Sequence, residues 1–263
     1  MKYYIRAGRI FYAIGIAGLG IQQFIYSDFR PVILPEWPAW IHGSPIVAYL
    51  SGLALIIAGI LILLNRKAGT VSLLLGGFLL VLFIVFHTPY LLFIIPYSFH
   101  LGSWTDALKE LALSGGAFVM AGSFVREDLP DNSKNYLMLM LEKIIPAGKI
   151  FFSITMIAFG IDHFLYTEFV ATLVPAWIPG PVFWTYFAAI ALIGSGVAII
   201  LKIRLKTVGL LLGTMLLLWF IILHIPRAIA DPHTANGNEI TSVFEALAFS
   251  GIAFVIAGTV KKK

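Results

Sequence analysis

The residues in this chain that can do chemistry are the polar ones standing inside long apolar runs. They are Gln22, Gln23, His87, Glu110, Asp162, His163, His224 and Glu245. A charged group at the centre of a bilayer costs about 2.5–3.5 kcal/mol on insertion scales, and less near its surface, so such residues mark candidate sites. Asp162-His163 is the sharpest signal, an ionisable pair within one apolar run. Adjacent residues point about 100° apart on a helix, however, and need not face one cavity. Histidine and a carboxylate together offer an acid, a base and hydrogen-bonding groups, which suits a ligand that takes up and releases protons. Each residue also has a purely structural explanation. His87 and His224 lie just before prolines and can satisfy a freed carbonyl. Glu110 and Glu245 stand near the starts of their runs, where a carboxylate favours the positive end of a helix.

Several chemistries are excluded or unsupported. The chain has no cysteine, which removes thiolate nucleophiles, disulfides, iron–sulfur ligation and covalent haem attachment. Gly76-Gly77 and Gly115-Gly116 fall inside apolar runs, where small residues let helices approach, and do not form a phosphate-cradling loop. Neither a zinc-protease helix nor a dinucleotide fingerprint is present. His87 and His224 occupy matching places in the chain, and a two-fold axis could bring them together as axial haem ligands, but nothing in their spacing demands it. We therefore expect no metal and assign no catalytic residue.

The elements that must position these residues are helices in a membrane. The sequence is 60% hydrophobic and 12% charged, about half the charged share of a soluble domain, with a mean hydropathy of +0.95. Eight runs approach the roughly 20 residues a span needs: 9–26, 45–64, 70–89 and 104–124, then 148–166, 181–201, 207–226 and 240–260. Within lipid the backbone must satisfy itself, so the runs are read as helices. The basic start precedes an apolar run as a signal peptide would, but no convincing cleavage site follows, and it is read as the first span. Most Lys and Arg, from Lys2 and Arg6 to Lys263, fall on one side of the spans, and only Arg30, Lys109 and Arg227 on the other. The asymmetry predicts cytoplasmic termini, a cell (inner) membrane location and no nucleic-acid partner for the net charge of +5.

The runs form one unit written twice. Ala7-Gly8-Arg9-Ile10-Phe11 answers to Ala147-Gly148-Lys149-Ile150-Phe151, and Pro38-Ala39-Trp40-Ile41-His42-Gly43 to Pro175-Ala176-Trp177-Ile178-Pro179-Gly180. His87-Thr88-Pro89 matches His224-Ile225-Pro226, and Ser114-Gly115-Gly116-Ala117-Phe118 matches Ser250-Gly251-Ile252-Ala253-Phe254. Self-similarity of this length signals an internal repeat. The predicted organisation is an all-α membrane protein with a four-helix unit at 1–125, a cytoplasmic linker at 126–146 and a second four-helix unit at 147–263. Four spans per unit make the repeats parallel, with eight transmembrane helices in all. The apolar segment Tyr136 to Ile145 either lies at the interface or extends the fifth helix.

The polar candidates all fall towards the outer face, beneath the proline-rich loops that carry Trp40 and Trp177. Aromatic residues of that kind form interfacial belts, and the loops are read first as caps on the bundle. The halves differ in a useful way: Gln22-Gln23 becomes Asp162-His163, and Lys109 aligns with Glu245, Glu110 with Ala246. If one half is active, it is the second, around Asp162, His163, His224 and Glu245.

Gly20-Ile21-Gln22-Gln23-Phe24-Ile25-Tyr26-Ser27-Asp28-Phe29, the tryptophan loop, the His-x-Pro step and Lys109-Glu110-Leu111-Ala112-Leu113-Ser114-Gly115-Gly116-Ala117-Phe118 together resemble the DoxX-like membrane proteins. The likeness covers each half. Some members of that family are the small membrane subunit of a thiosulfate:quinone oxidoreductase, and carrying that activity here is analogy at the level of fold. The resemblance implies a redox-associated protein with a possible redox partner protein. The residues suggest a quinone-sized outer pocket walled by aromatics. A solute transporter or channel, and a partner subunit with no site of its own, are the alternatives.

Overall fold

The computed structural model describes residues 2–37, 40–41, 44–97, 99–124 and 136–259, and among them every regular element is helical. The first half supplies α1 (Lys2–Tyr26), α2 (Pro45–Leu63), α3 (Ala68–Leu82) and α4 (Thr105–Ser123). Then come α5 (Tyr136–Ile144), α6 (Gly148–Leu165), the short α7 (Thr167–Leu173), α8 (Pro181–Ile200), α9 (Leu205–Trp219), α10 (Ile225–Ala230) and α11 (Asn238–Gly258). Pro45 and Pro181 open α2 and α8, where a missing N–H costs nothing. The α2–α3 turn places Asn65 and Lys67 at φ of 54° and 47°, and the α8–α9 turn places Lys202 and Arg204 at 58° and 41°.

Helices occupy all eight expected ranges, and among the described residues six helical stretches are long and apolar enough to cross a membrane. α1 and α4 do not meet that measure. α4 carries Asp106, Lys109 and Glu110 in its first turns, and α1 carries Arg6 and Arg9 at one end and Gln22 and Gln23 at the other. Polarity goes with burial here, because α4 is almost wholly enclosed by other helices. Of the expected 126–146 linker, residues 126–135 lie outside the described residues. The remainder is α5, which turns at Pro146 through a 3-10 turn into α6, with Leu141 buried against Gly77 of α3. The ambiguous Tyr136–Ile145 segment is thus helical and leads directly into α6.

α4 and α11 form the central seam, and nearly every residue of Leu111–Ala121 and Glu245–Gly258 is buried. The first helix of each half packs on the last helix of the other: α1 on α11, and α6 on α4, while α1 barely meets α4. Glycines make both contacts possible. A Cβ at Gly148 would stand 2.6 Å from the Gly115 carbonyl oxygen, and one at Gly251 would stand 2.5 Å from that of Gly8, so the backbones touch only because neither has a side chain. Ser114 Oγ donates to the Gly76 carbonyl at 2.8 Å, and Ser250 Oγ donates to the Gly213 carbonyl at 2.8 Å. Both α3 and α9 end in a π turn, Phe83–His87 and Phe220–His224. The cause is shared: Pro89 and Pro226, two residues on, each remove an N–H that a regular helix would use.

Candidate functional site

The second half holds a partly open cavity of about 230 Å³, to which the first half contributes Lys109. Its walls are apolar, with Met156, Leu192, Met215 and Phe249 among them, and two indoles, Trp184 and Trp219, meet edge-on with centroids 6.4 Å apart. Trp184 is held there by its own N–H, which donates to the Pro179 carbonyl at 3.2 Å. The polar lining is Lys109, His163, Thr185, His224, Ser242 and Glu245. Three residues singled out in the sequence, His163, His224 and Glu245, therefore share one cavity.

Lys109 is the residue that sequence reasoning passed over. It comes from α4 of the first half, yet its Nζ lies 3.1 Å from Glu245 Oε2 and 3.2 Å from Asp106 Oδ1. Lys109 and Glu245 hold corresponding places in the two halves, so the ion pair joins like positions across the α4–α11 seam. The signal was their alignment with opposite charge. A buried pair needs both members, because a lone buried charge is strongly destabilising. The carboxylates in the first turns of α4 and α11 are Asp106 and Glu239. Glu245 sits two turns further in, where stabilisation by the helix end no longer explains it.

His163 Nδ1 lies 2.7 Å from the Phe159 carbonyl one turn back, which fixes the ring. His224 closes the π turn of the second half, and among the described residues its buried Nδ1 has no hydrogen-bond partner, nor has Glu245 Oε1. Asp162 does not line the cavity. It lies in a neighbouring cleft of about 380 Å³ with Gly102, Thr105 and Tyr166, and His163 borders both spaces.

The matching place in the first half is occupied by protein. His87 is buried beside Glu110, Nε2 to Oε2 3.3 Å, and meets the Val32 backbone carbonyl. Phe29, Val32, Ile33 and Leu34 are buried in the core. Their counterparts in the second half form α7, of which no residue is buried, and Val170 and Leu173 line the cavity instead. The sequence explains the difference. Pro31 and Pro35 forbid a helix in the first loop, whereas the stretch from Thr167 to Val174 contains no proline. The replacement of Glu110 by Ala246, which lines the cavity, removes a further side chain.

Gln22 and Gln23 serve the packing rather than the cavity. Gln22 Nε2 donates to the Gly237 carbonyl at 3.4 Å, and its Oε1 accepts from Thr241 Oγ1 at 3.2 Å. Arg30, itself buried, donates to the same threonine at 3.2 Å and to the Asn236 carbonyl at 2.7 Å, tying the first loop to the start of α11. Gln23 is fully buried, and neither of its amide atoms has a partner among the described residues. The tryptophans of the repeated loops face outward: Trp40 is 78% exposed and Trp177 71% exposed, so the indoles that wall the cavity are Trp184 and Trp219 instead. The rest of the first proline-alanine-tryptophan motif, Pro38, Ala39, His42 and Gly43, lies outside the described residues. His87 and His224 sit in separate environments, one against Glu110 and one on the cavity, and no group of three or more metal-binding side chains occurs among the described residues.

No protein-family model, curated protein or solved structure matches this chain.

Proposed function

We propose that the chain is an eight-span protein of the cell (inner) membrane, built from two DoxX-like four-helix units in parallel, with both termini in the cytoplasm and the cavity towards the outer face. The excess of Lys and Arg at the end of the bundle that holds α1's start supports this orientation. The recurrence of the glycine contacts, the serine hydrogen bonds and the histidine π turns in both halves supports the duplication. Within that frame, the second half binds a quinone headgroup.

The observation that carries the reading is the cavity itself: an apolar, indole-walled space with a few convergent polar groups on one side, the usual form of a small-molecule site. The Trp184 and Trp219 rings suit a flat conjugated ring. Lys109 has three ammonium hydrogens, two of which serve Asp106 and Glu245. The third is a donor for a ligand oxygen. The test is to purify the chain in mild detergent and assay a solvent extract for quinone, recording oxidised-minus-reduced spectra alongside. About one quinone per chain is expected, with a loss in His224→Ala. An empty extract, together with no binding of an added short-chain quinone, refutes the reading and turns attention to solute flux or a partner protein.

A further inference from the structure

We infer that the cavity selects a ligand bearing a hydroxyl group, and so holds a hydroquinone in preference to the corresponding quinone. The inference rests on the quinone reading above and deepens it. It begins with the hydrogen bond of His163. A backbone carbonyl can only accept, so the 2.7 Å contact between Nδ1 and the Phe159 carbonyl places the ring hydrogen on Nδ1. In the neutral ring Nε2 is then an acceptor. Nε2 makes no hydrogen bond among the described residues, and the ring borders the cavity.

A second acceptor is close by. Glu245 uses Oε2 for Lys109, and its buried Oε1 has no partner among the described residues. Against these two acceptors stand two donors, the remaining hydrogen of Lys109 and the indole N–H of Trp219, while the donors of Trp184, Thr185 and Ser242 are spent on the Pro179, Pro181 and Asn238 carbonyls. His224 Nδ1, buried and unpartnered, takes either role according to its tautomer. A quinone brings two carbonyl oxygens, both acceptors, and leaves His163 Nε2 and Glu245 Oε1 unmet. A hydroquinone brings two O–H donors whose oxygens still accept from Lys109. A site built to receive a hydroxyl discriminates against an analogue lacking it, because its own polar groups are left bare.

The test is anaerobic calorimetric titration of the full chain in nanodiscs with three probes: a short-chain benzoquinone, its hydroquinone, and the dimethyl ether of that hydroquinone. The hydroquinone is expected to bind about tenfold more tightly than the other two, the lower end of what two buried hydrogen bonds contribute. His163→Phe keeps an apolar ring and removes one of the two acceptors, and should lower the hydroquinone-to-ether ratio about threefold, Glu245 Oε1 keeping the remainder, with size-exclusion elution confirming the fold. Equal affinity for hydroquinone and ether in the unaltered chain overturns the inference, and that comparison decides even if the variant does not fold. A preference undiminished in His163→Phe overturns it as well. Failure of all three probes to bind refutes the quinone reading itself.

Discussion

Replacing Lys109 with methionine strands a buried carboxylate. Glu245 has a side chain 4% exposed and draws its counter-charge from Lys109, which is 14% exposed, at 3.1 Å. At an effective dielectric of about 20, Coulomb's law gives an attraction of roughly 5 kcal/mol at that separation. Asp106 also holds the ammonium, but at 42% exposed it remains hydrated when the lysine is lost. Removing one partner of a buried pair costs about 3–5 kcal/mol, whereas replacing both with apolar residues of similar volume is often close to neutral. Lys109→Met should therefore lower the thermal midpoint of the detergent-solubilised protein by about 10 °C. Adding Glu245→Met should restore most of the loss. The charge exchange Lys109→Glu with Glu245→Lys should also be better tolerated than either single change, because the two positions correspond across the seam. Differential scanning fluorimetry on these five variants and the parent is the assay. A Lys109→Met protein as stable as the parent, or a double variant no better than the single one, refutes the claim that this pair is buried and mutually dependent.

Other expectations follow from the same contacts. Gly148→Val puts a Cβ 2.6 Å from the Gly115 carbonyl oxygen and should prevent α6 from seating on α4, seen as aggregation on size exclusion rather than as a local change. Ser250→Ala and Ser114→Ala each remove one buried hydrogen bond and should each cost about 1 kcal/mol, read as similar shifts in thermal midpoint. Arg30→Met removes the guanidinium that ties the first loop to Thr241 and the Asn236 carbonyl, and should speed protease cleavage between α1 and α2 while leaving the second-half helices protected.

Much of the helical layout is legible from the sequence because long apolar runs have few alternatives in lipid, and the proposed repeat is read from whole phrases that return. The pairing of α1 with α11 is not: it joins the two ends of the chain, and local pattern carries no information about it. His163, His224 and Glu245 stood out because ionisable groups are costly in apolar runs. Lys109 did not, since its meaning depends on the facing helix. The tryptophans show the same limit. Trp40 and Trp177 attract notice by repetition, yet face outward, while Trp184 and Trp219 lie in ordinary apolar runs and are turned inward by the rotation of their helices. The different fates of the two loops were written in Pro31 and Pro35, but burial of Arg30 required a partner, Thr241, from the far end of the chain.

The central claim is that the second-half cavity is where a quinone binds, and filling it tests the claim most directly. Ala246→Glu reproduces the glutamate that the first half carries at Glu110, and Ala246→Leu fills the same space without charge. The measurement is titration of the chain in nanodiscs with a short-chain benzoquinone, following the fluorescence of its six tryptophans, of which Trp184 and Trp219 wall the cavity. Saturable quenching at about one quinone per chain, abolished in both variants while their elution and helicity are unchanged, is the predicted result. Quenching that never saturates, or that persists undiminished in both filled variants, would contradict the account.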